Sequence, residues 1–273
     1  QYAVVTSDDF WSSMQEAHNN TKRDPLNIKE IMELYADQPG FPMINVTRNY
    51  ETGRINLSQS SNIPSQTRDR WYVPLNYVTQ SNLNFDNTTI THWLRPNETN
   101  LVIDGANKDD WILVNVKHSG YYMVNYDETN WDRLIKYLNT DDYAKIHKLH
   151  RAQLLRSAYH RFFASKQNFM KYFELTRYLV RETDMIPWSA AKVTFKTFRQ
   201  QVINDVNLKQ TMDKYTLLLL RKAIREVGFE ERAGDSSATR KKREFISLLA
   251  CEMGDAECRR VMAKKAAAHL EDG

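Results

Sequence analysis

At 273 residues, 41% hydrophobic and 26% charged, the chain has the composition of a folded globular protein with room for more than one core, which excludes a disordered or fibrous class. No apolar run approaches the roughly 20 residues that a membrane-spanning helix needs. The formal charge of +4 hides an asymmetry: residues 1–135 hold 11 Lys plus Arg against 17 Asp plus Glu, and residues 136–273 hold 27 against 17. Outside Arg240 to Arg243 these cations scatter between apolar positions, which reads as solvated helix faces and gives no argument for nucleic acid.

In chain order, QYAVVTSDDF lacks the basic start and apolar middle of a signal peptide, and no Met begins it, so an excised piece is expected. Asp8 or Asp9 can cap a short helix carrying Phe10, Trp11 and Met14. Asn27 can cap a second, with Ile28, Ile31, Met32 and Tyr35 on one side, and Pro39-Gly40 stops it. Segments 42–49 and 54–60 alternate apolar and polar residues around a turn at Glu51 to Gly53, the pattern of a β-hairpin. Further strands are predicted at 71–79, 89–94, 100–104, 111–116 and 120–126, and closely spaced strands of this kind predict a small antiparallel sandwich.

The stretch GYYMVNYDETNW, residues 120–131, is where one architecture hands over to the next. Tyr122, Val124 and Tyr126 alternate with Tyr121, Met123 and Asn125 at the period of a strand. Asp127 then offers a turn or cap, and Trp131, Leu134, Ile135 and Leu138 recur at helical spacing. Beyond it, helices are predicted over 151–164, 169–180, from Pro187 through Val202, and from about Leu208 to a stop at Gly228, as stacked helical hairpins. The polar run 230–243 lacks apolar periodicity and reads as the segment most open to proteolysis.

Sequons fall at Asn19, Asn45, Asn56, Asn87 and Asn97, all in the first hundred residues, and this clustering favours glycan attachment in the secretory pathway over chance occurrence in Asn- and Thr-rich loops. Cys251 and Cys258 flank a Gly-Asp pair that looks like a helix C-cap followed by an N-cap, so a disulfide across a tight turn is favoured over two free thiols.

No His-Glu-x-x-His pair, Gly-x-Ser-x-Gly elbow or phosphate-cradling glycine loop occurs. His147 and His150 could share a helix face, but a zinc site needs three or four ligands with support behind them, and nothing nearby completes one. The aromatics of residues 120–131 could stack a ligand, yet aromatics at period 2 are more often core.

QPGFPMINV at 38–46, GYYMVNYDETNW at 120–131, RAQLL at 151–155, Pro187-Trp188 and CEMGDAEC occur in the order in which similar motifs occur in zinc aminopeptidases of the aminopeptidase N family, and the texture resembles insect midgut members most. The residues that carry this resemblance are Gln38, Gly40, Pro42, Gly120, Tyr122, Asn125, Tyr126, Trp131, Arg151, Gln153, Pro187 and Trp188. Met123 stands where an Arg is common in the family. The resemblance implies an α+β multidomain chain: 1–41 as the last helices of a thermolysin-like catalytic domain, 42–127 as a β-sandwich, and 128–273 as the first part of an all-α superhelical domain. It also implies that the zinc ligands and catalytic residues lie upstream of residue 1, so that this portion binds no metal itself and helps to enclose the chamber of an enzyme that removes N-terminal amino acids from peptides. The expected setting is the extracellular face of the plasma membrane, through a lipid or other anchor outside these residues. The competing expectation is a glycosylated receptor surface for another protein, such as a bacterial insecticidal toxin, with no peptidase activity.

Overall fold

A computed structural model of the chain describes residues 4–21, 25–66, 69–164 and 168–271. The chain divides into two compact units, Gln1–Arg133 and Leu134–Gly273, and the division falls inside helix α3 (Glu128–Leu138).

The first unit opens with α1 (Ser7–Asn19) and α2 (Ile28–Asp37). Asn27 caps α2 as its sequence position predicts, its side chain accepting from the Glu30 N–H at 3.2 Å. At α1 the expected cap moves two to three residues upstream: Thr6 takes that position and Asp9 serves as the third helical residue of a reciprocal capping box. A hydroxyl before the run and a carboxylate three residues on satisfy two free N–H groups together, which neither Asp8 nor Asp9 can do as a cap alone.

Eight strands follow in the described residues: β1 (Pro42–Arg48), β2 (Ile55–Ser61), β3 (Val73–Leu75), β4 (Tyr77–Thr79), β5 (His92–Leu94), β6 (Leu101–Ile103), β7 (Ile112–Val114) and β8 (Met123–Tyr126). They form a four-stranded sheet in the order β6-β2-β1-β8 and two ladders, β3-β5 and β4-β7. The hairpin β1-β2 is antiparallel as its alternation predicts, but β8 lies parallel to β1, so the sheet is mixed and the expected all-antiparallel arrangement is corrected. Only neighbours joined by a short turn are constrained to run antiparallel. With some 75 residues between them, β1 and β8 are not.

The predicted strand 71–79 breaks at Asn76. This buried side chain accepts from the Val116 N–H at 2.8 Å and donates to the Thr88 carbonyl at 2.8 Å, while its backbone carbonyl accepts from the Asn115 N–H. Strand pairing is exchanged there for side-chain bonds, and the two halves join different partners. The core is made of inward-facing Ile44, Val46, Ile55, Leu57, Trp71, Val73, Leu75, Leu94, Trp111 and Leu113, all at most 1% exposed. At about 1.5–3 kcal/mol for each fully buried large apolar side chain, this inner face supplies the drive to close the unit.

The second unit is helical. It comprises α4 (Lys148–Ala158), α5 (Phe169–Thr176), α6 (Met185–Gln201), α7 (Val206–Val227), α8 (Ser237–Glu252) and α9 (Ala256–Glu271), together with the C-terminal part of α3. Helix α4 packs on α6, α6 on α7, α7 on α8 and α8 on α9, the helix-pair stacking read from the periodicity. The helix predicted over 151–164 begins at Lys148 and leaves α geometry at Tyr159, where residues 159–164 form a π-helical turn. That predicted over 169–180 tightens into a 3-10 turn at Arg177–Val180. Gly228 ends α7 at φ +65°, as its position predicts. The run 230–243 is not one open linker, because Ser236 caps α8 and Arg243 sits on that helix's buried face. No described helix is long and apolar enough to cross a membrane.

Candidate functional site

In the first unit the organising side chain of the strand-to-helix junction is Asp127. Its Oδ1 accepts from the Tyr50 hydroxyl at 2.6 Å and from the Asn130 N–H at 2.8 Å, its Oδ2 accepts from the Arg48 N–H at 2.9 Å, and its own N–H donates to the Val46 carbonyl. One carboxylate therefore ends the β1-β8 pairing and starts α3. Burial, and then the bond to Asp127, holds the Tyr50 hydroxyl well above the usual phenol range. Asn130, fully buried, donates to and accepts from the backbone of Ile112 at 3.0 and 2.9 Å, so both backbone polar groups of that β7 residue are satisfied.

The family-motif residues of this unit fall into the same frame. Gln38 bridges α2 to the strand region: its Nε2 donates to the Arg70 carbonyl at 2.9 Å and its Oε1 accepts from the Arg70 N–H. Gly40 turns at φ +83°, and Pro42 begins β1. A Cβ on Gly120 would lie 2.3 Å from the Tyr122 ring, so that close approach needs glycine. Its backbone N–H and carbonyl are both held by Asn115, a buried residue in left-handed conformation at φ +69°. Tyr122, Tyr126 and Trp131 are buried, Tyr126 accepting from the Val114 N–H at 3.0 Å. Burial raises the Tyr126 hydroxyl far above its ordinary value. The aromatic alternation is core: Tyr122, Tyr126 and Trp131 face inward, and of the aromatic residues in that stretch Tyr121 is the exposed one.

In the second unit Arg151 and Trp188 converge on Glu182, a residue that no motif marks. The guanidinium Nε and Nη2 meet the carboxylate at 2.6 and 3.2 Å, and the Trp188 indole donates to the Glu182 carbonyl at 2.9 Å. Glu182 Oε1 also accepts from the Thr183 and Asp184 N–H groups at 3.0 and 2.9 Å. Asp184 caps α6 by accepting from Ile186 N–H, which places Pro187 in the first turn, where a missing N–H costs nothing. Arg151 is further tied to the Ile146 carbonyl and lies 5.4 Å from the Tyr143 ring centroid. Gln153 is buried on α4, and its Nε2 has no hydrogen-bond partner among the described residues.

His147 caps α4, its Nδ1 accepting from the Leu149 N–H at 3.3 Å, and His150 is fully buried. Among the described residues no group of three or more His, Cys, Asp or Glu could hold a metal ion. The disulfide Cys251–Cys258 is formed. Gly254 at φ +93° and the Asp255 N–H bond to the Ala250 carbonyl close α8, and Asp255 then caps α9 by accepting from the Cys258 N–H at 2.8 Å. A cavity of about 560 Å³ opens in this unit beside Phe229, Leu248, Met262 and the buried Arg243. Of the sequon asparagines, Asn19, Asn87 and Asn97 are exposed, whereas Asn45 and Asn56 lie half-buried on β1 and β2.

Of the polar residues that the sequence motifs mark, Gln38, Tyr126, Arg151 and Trp188 thus bind backbone groups or a buried charge, whereas the Gln153 Nε2 does not. The signals that could have found Glu182 and Asn130 are weak ones, a carboxylate just before a helix cap and an amide one turn inside a helix, and neither says which distant strand or helix it will meet.

Residues 111–273 match the family described as the ERAP1-like C-terminal domain. Among curated proteins, an aminopeptidase N from Plutella xylostella is 31% identical over 259 residues, covering 92% of this chain and 27% of that protein. A membrane alanyl aminopeptidase from Heliothis virescens is 27% identical over 78% of this chain and 22% of its own length. An aminopeptidase N from Mus musculus is 30% identical over 72% of this chain and 20% of its own length. The chain spans about a quarter of the length of these curated relatives.

Proposed function

The chain belongs to the aminopeptidase family that carries the ERAP1-like C-terminal domain, and from that premise we propose that it is a non-catalytic portion of a longer zinc-dependent aminopeptidase that removes N-terminal amino acids from peptides. The observation that carries this reading is the use made of its motif residues. Arg151, Trp188, Gln38 and Asn125 bind carboxylate, backbone or neighbouring amide and stay on structural duty. A portion that helps to enclose a reaction chamber needs rigid, satisfied walls of this kind, since positioning by a scaffold depends on locked side chains. Zinc, whose chemistry in such enzymes is to polarise the scissile carbonyl and activate water, would be held by residues of the longer protein other than these.

The setting proposed with it is the extracellular face of the plasma membrane, through an anchor outside these residues. It is supported by the disulfide and by three sequons on exposed positions, features of oxidising compartments and glycosylated surfaces. The same exposed sequons favour the second reading, a receptor surface for another protein.

The test is direct. The purified chain, dialysed, is assayed for bound zinc and for hydrolysis of aminoacyl amides, beside a longer polypeptide containing it. Hydrolysis confined to the longer protein supports the proposal. One tightly held zinc per chain with chelator-sensitive hydrolysis by the chain alone overturns it, and an inactive, zinc-free longer protein leaves the receptor reading in its place.

A further inference from the structure

Two of the five sequons are placed against each other by the register of the β1-β2 hairpin. Asn45 lies opposite Ser58, the hydroxyl residue of the Asn56 sequon, and Asn56 lies opposite Thr47, the hydroxyl residue of the Asn45 sequon. Alternation puts Ile44, Val46, Ile55 and Leu57 in the core and turns both asparagines to the same outer face. They are diagonal cross-strand neighbours, a relationship in which Cα atoms stand only about 7–8 Å apart.

Neither strand is an edge. Strand β1 is flanked by β2 and β8, and β2 by β1 and β6, so a group attached at either asparagine can leave only roughly perpendicular to the sheet. The surroundings are already filled: Asn45 donates to the Ser60 hydroxyl at 3.3 Å and accepts from the Asn125 amide at 3.4 Å, and the Asn56 Oδ1 is buried. Asn19, Asn87 and Asn97, by contrast, are exposed and lie outside this sheet.

We propose that Asn45 and Asn56 are mutually exclusive N-glycan acceptors, so that a folded chain carries one glycan on this sheet face and never two. This rests on the secretory setting proposed above. In the transfer, the Asn Nδ2 loses one proton and bonds to the anomeric carbon of an oligosaccharide, whose bond to the diphosphate of a polyprenyl donor breaks. Both sequons can react while the chain is extended. Closing β1 on β2 then forces two N-acetylglucosamine stems into a footprint comparable to the width of one ring with its acetamido arm, so doubly modified chains fail to complete the sheet.

The experiment uses the full chain secreted from eukaryotic cells. Cleavage before aspartate is done first and yields peptide 37–68, which contains both asparagines; with that protease removed, enzymatic release of the glycans in heavy-oxygen water then marks each former glycan site as an aspartate. The expected result is peptide with one mark, loss of the doubly marked form, and a rise in occupancy at Asn56 in Thr47→Ala and at Asn45 in Ser58→Ala. Both variants leave the asparagines in place and need not disturb the sheet. Doubly marked peptide at the frequency given by the product of the two separate occupancies overturns the proposal. Unmarked 37–68 beside marked Asn19, Asn87 or Asn97 also overturns it, while leaving the secretory reading intact. No mark on any of the five defeats the secretory reading itself.

Discussion

The Arg151 guanidinium and the Glu182 carboxylate form a two-pronged ion pair inside the helical unit, at 2.6 and 3.2 Å, with side chains 8% and 2% exposed. Truncating one member of such a pair leaves the other charged and buried, which costs about 3–5 kcal/mol. Glu182→Ala also strips the acceptor from the Thr183 and Asp184 N–H groups, so it is expected to destabilise more than Arg151→Met. Glu182→Gln keeps an acceptor oxygen and should fall between wild type and Glu182→Ala. Urea unfolding of the four proteins checks the order. Equal losses in Glu182→Ala and Glu182→Gln would mean that the charge alone matters and the backbone contacts do not.

The hairpin turn gives a second expectation. Gly53 and Gly105 are both left-handed, at φ +82° and +89°, but a Cβ on Gly53 would stand 2.0 Å from the Ala106 carbonyl oxygen, while one on Gly105 would meet nothing within 4 Å. Gly105→Ala therefore bears only the conformational penalty of about 1–2 kcal/mol. Gly53→Ala adds a backbone clash and should cost clearly more, read as the difference between their unfolding midpoints. A Gly53→Ala loss no larger than that of Gly105→Ala would show that the turn relaxes freely.

Asp235 makes the pH dependence of the α7-α8 connection. Its carboxylate is held below the ordinary aspartate value of 3.8 by the hydrogen bond from Arg243, at 2.7 Å, and then by the Arg232 N–H. A depressed carboxylate contributes stability that is full above its unfolded value and is lost as pH falls through the folded one. The stability gap between wild type and Asp235→Asn should therefore be full at neutral pH and close below pH 3.8. Parallel unfolding curves at the two ends test this, and a gap that persists unchanged in acid would remove the ion pair from the account.

What the sequence discloses follows the range of the interaction. Asn27, Gly228 and the Gly254-Asp255 turn are fixed by bonds within a few residues, and all three stand where the sequence places them. The hairpin alternation, whose partners are joined by one turn, is equally legible. Asn76, Asn130 and Glu182 are not, because each is defined by a partner 18 to 40 residues away or by a cluster assembled from several elements. The parallel pairing of β1 with β8 is hidden for the same reason. The π-helical turn at Tyr159–Ala164 shows a further limit, since Tyr159 and Phe162 keep an unbroken apolar spacing through a change of helix type.

Reduction of Cys251–Cys258 provides the fourth expectation. The bridge spans a sequence separation of 7, and in the chain-entropy picture a loop of this length contributes up to about 2.5 kcal/mol. Cys258 is fully buried, and its sulfur lies 3.1 Å from the Ser247 carbonyl, so Cys258→Ser should cost more than Cys251→Ser. Unfolding of the reduced, alkylation-free protein against the oxidised one gives the first number, and the two serine variants give the second. No change on reduction would mean that the caps at Gly254 and Asp255 hold the turn unaided.

Limited proteolysis distinguishes a loose polar linker from a folded one. The composition of residues 230–243 offers trypsin Arg232, Arg240, Lys241, Lys242 and Arg243 in one run, and sequence alone makes these equivalent. The structure separates them. Arg232 is exposed in the turn before Asp235, whereas the other four lie inside α8 beyond the Ser236 cap. Arg243 is 4% exposed, with its Nε donating to the Val227 carbonyl at 2.8 Å, and Lys242 pairs with Glu226. Cutting within a helix requires that the helix open first, and α8 is held to α7 by these bonds and by buried Ile246 and Leu249. Within this run the first tryptic cut should follow Arg232, and the cuts at 240–243 should appear only later, at a rate that rises with urea. Mass spectrometry of a time course reads the order. Early cleavage after Lys241 or Lys242 with Arg232 intact would show that the first turns of α8 are open in solution and that the Arg243 contacts do not hold it.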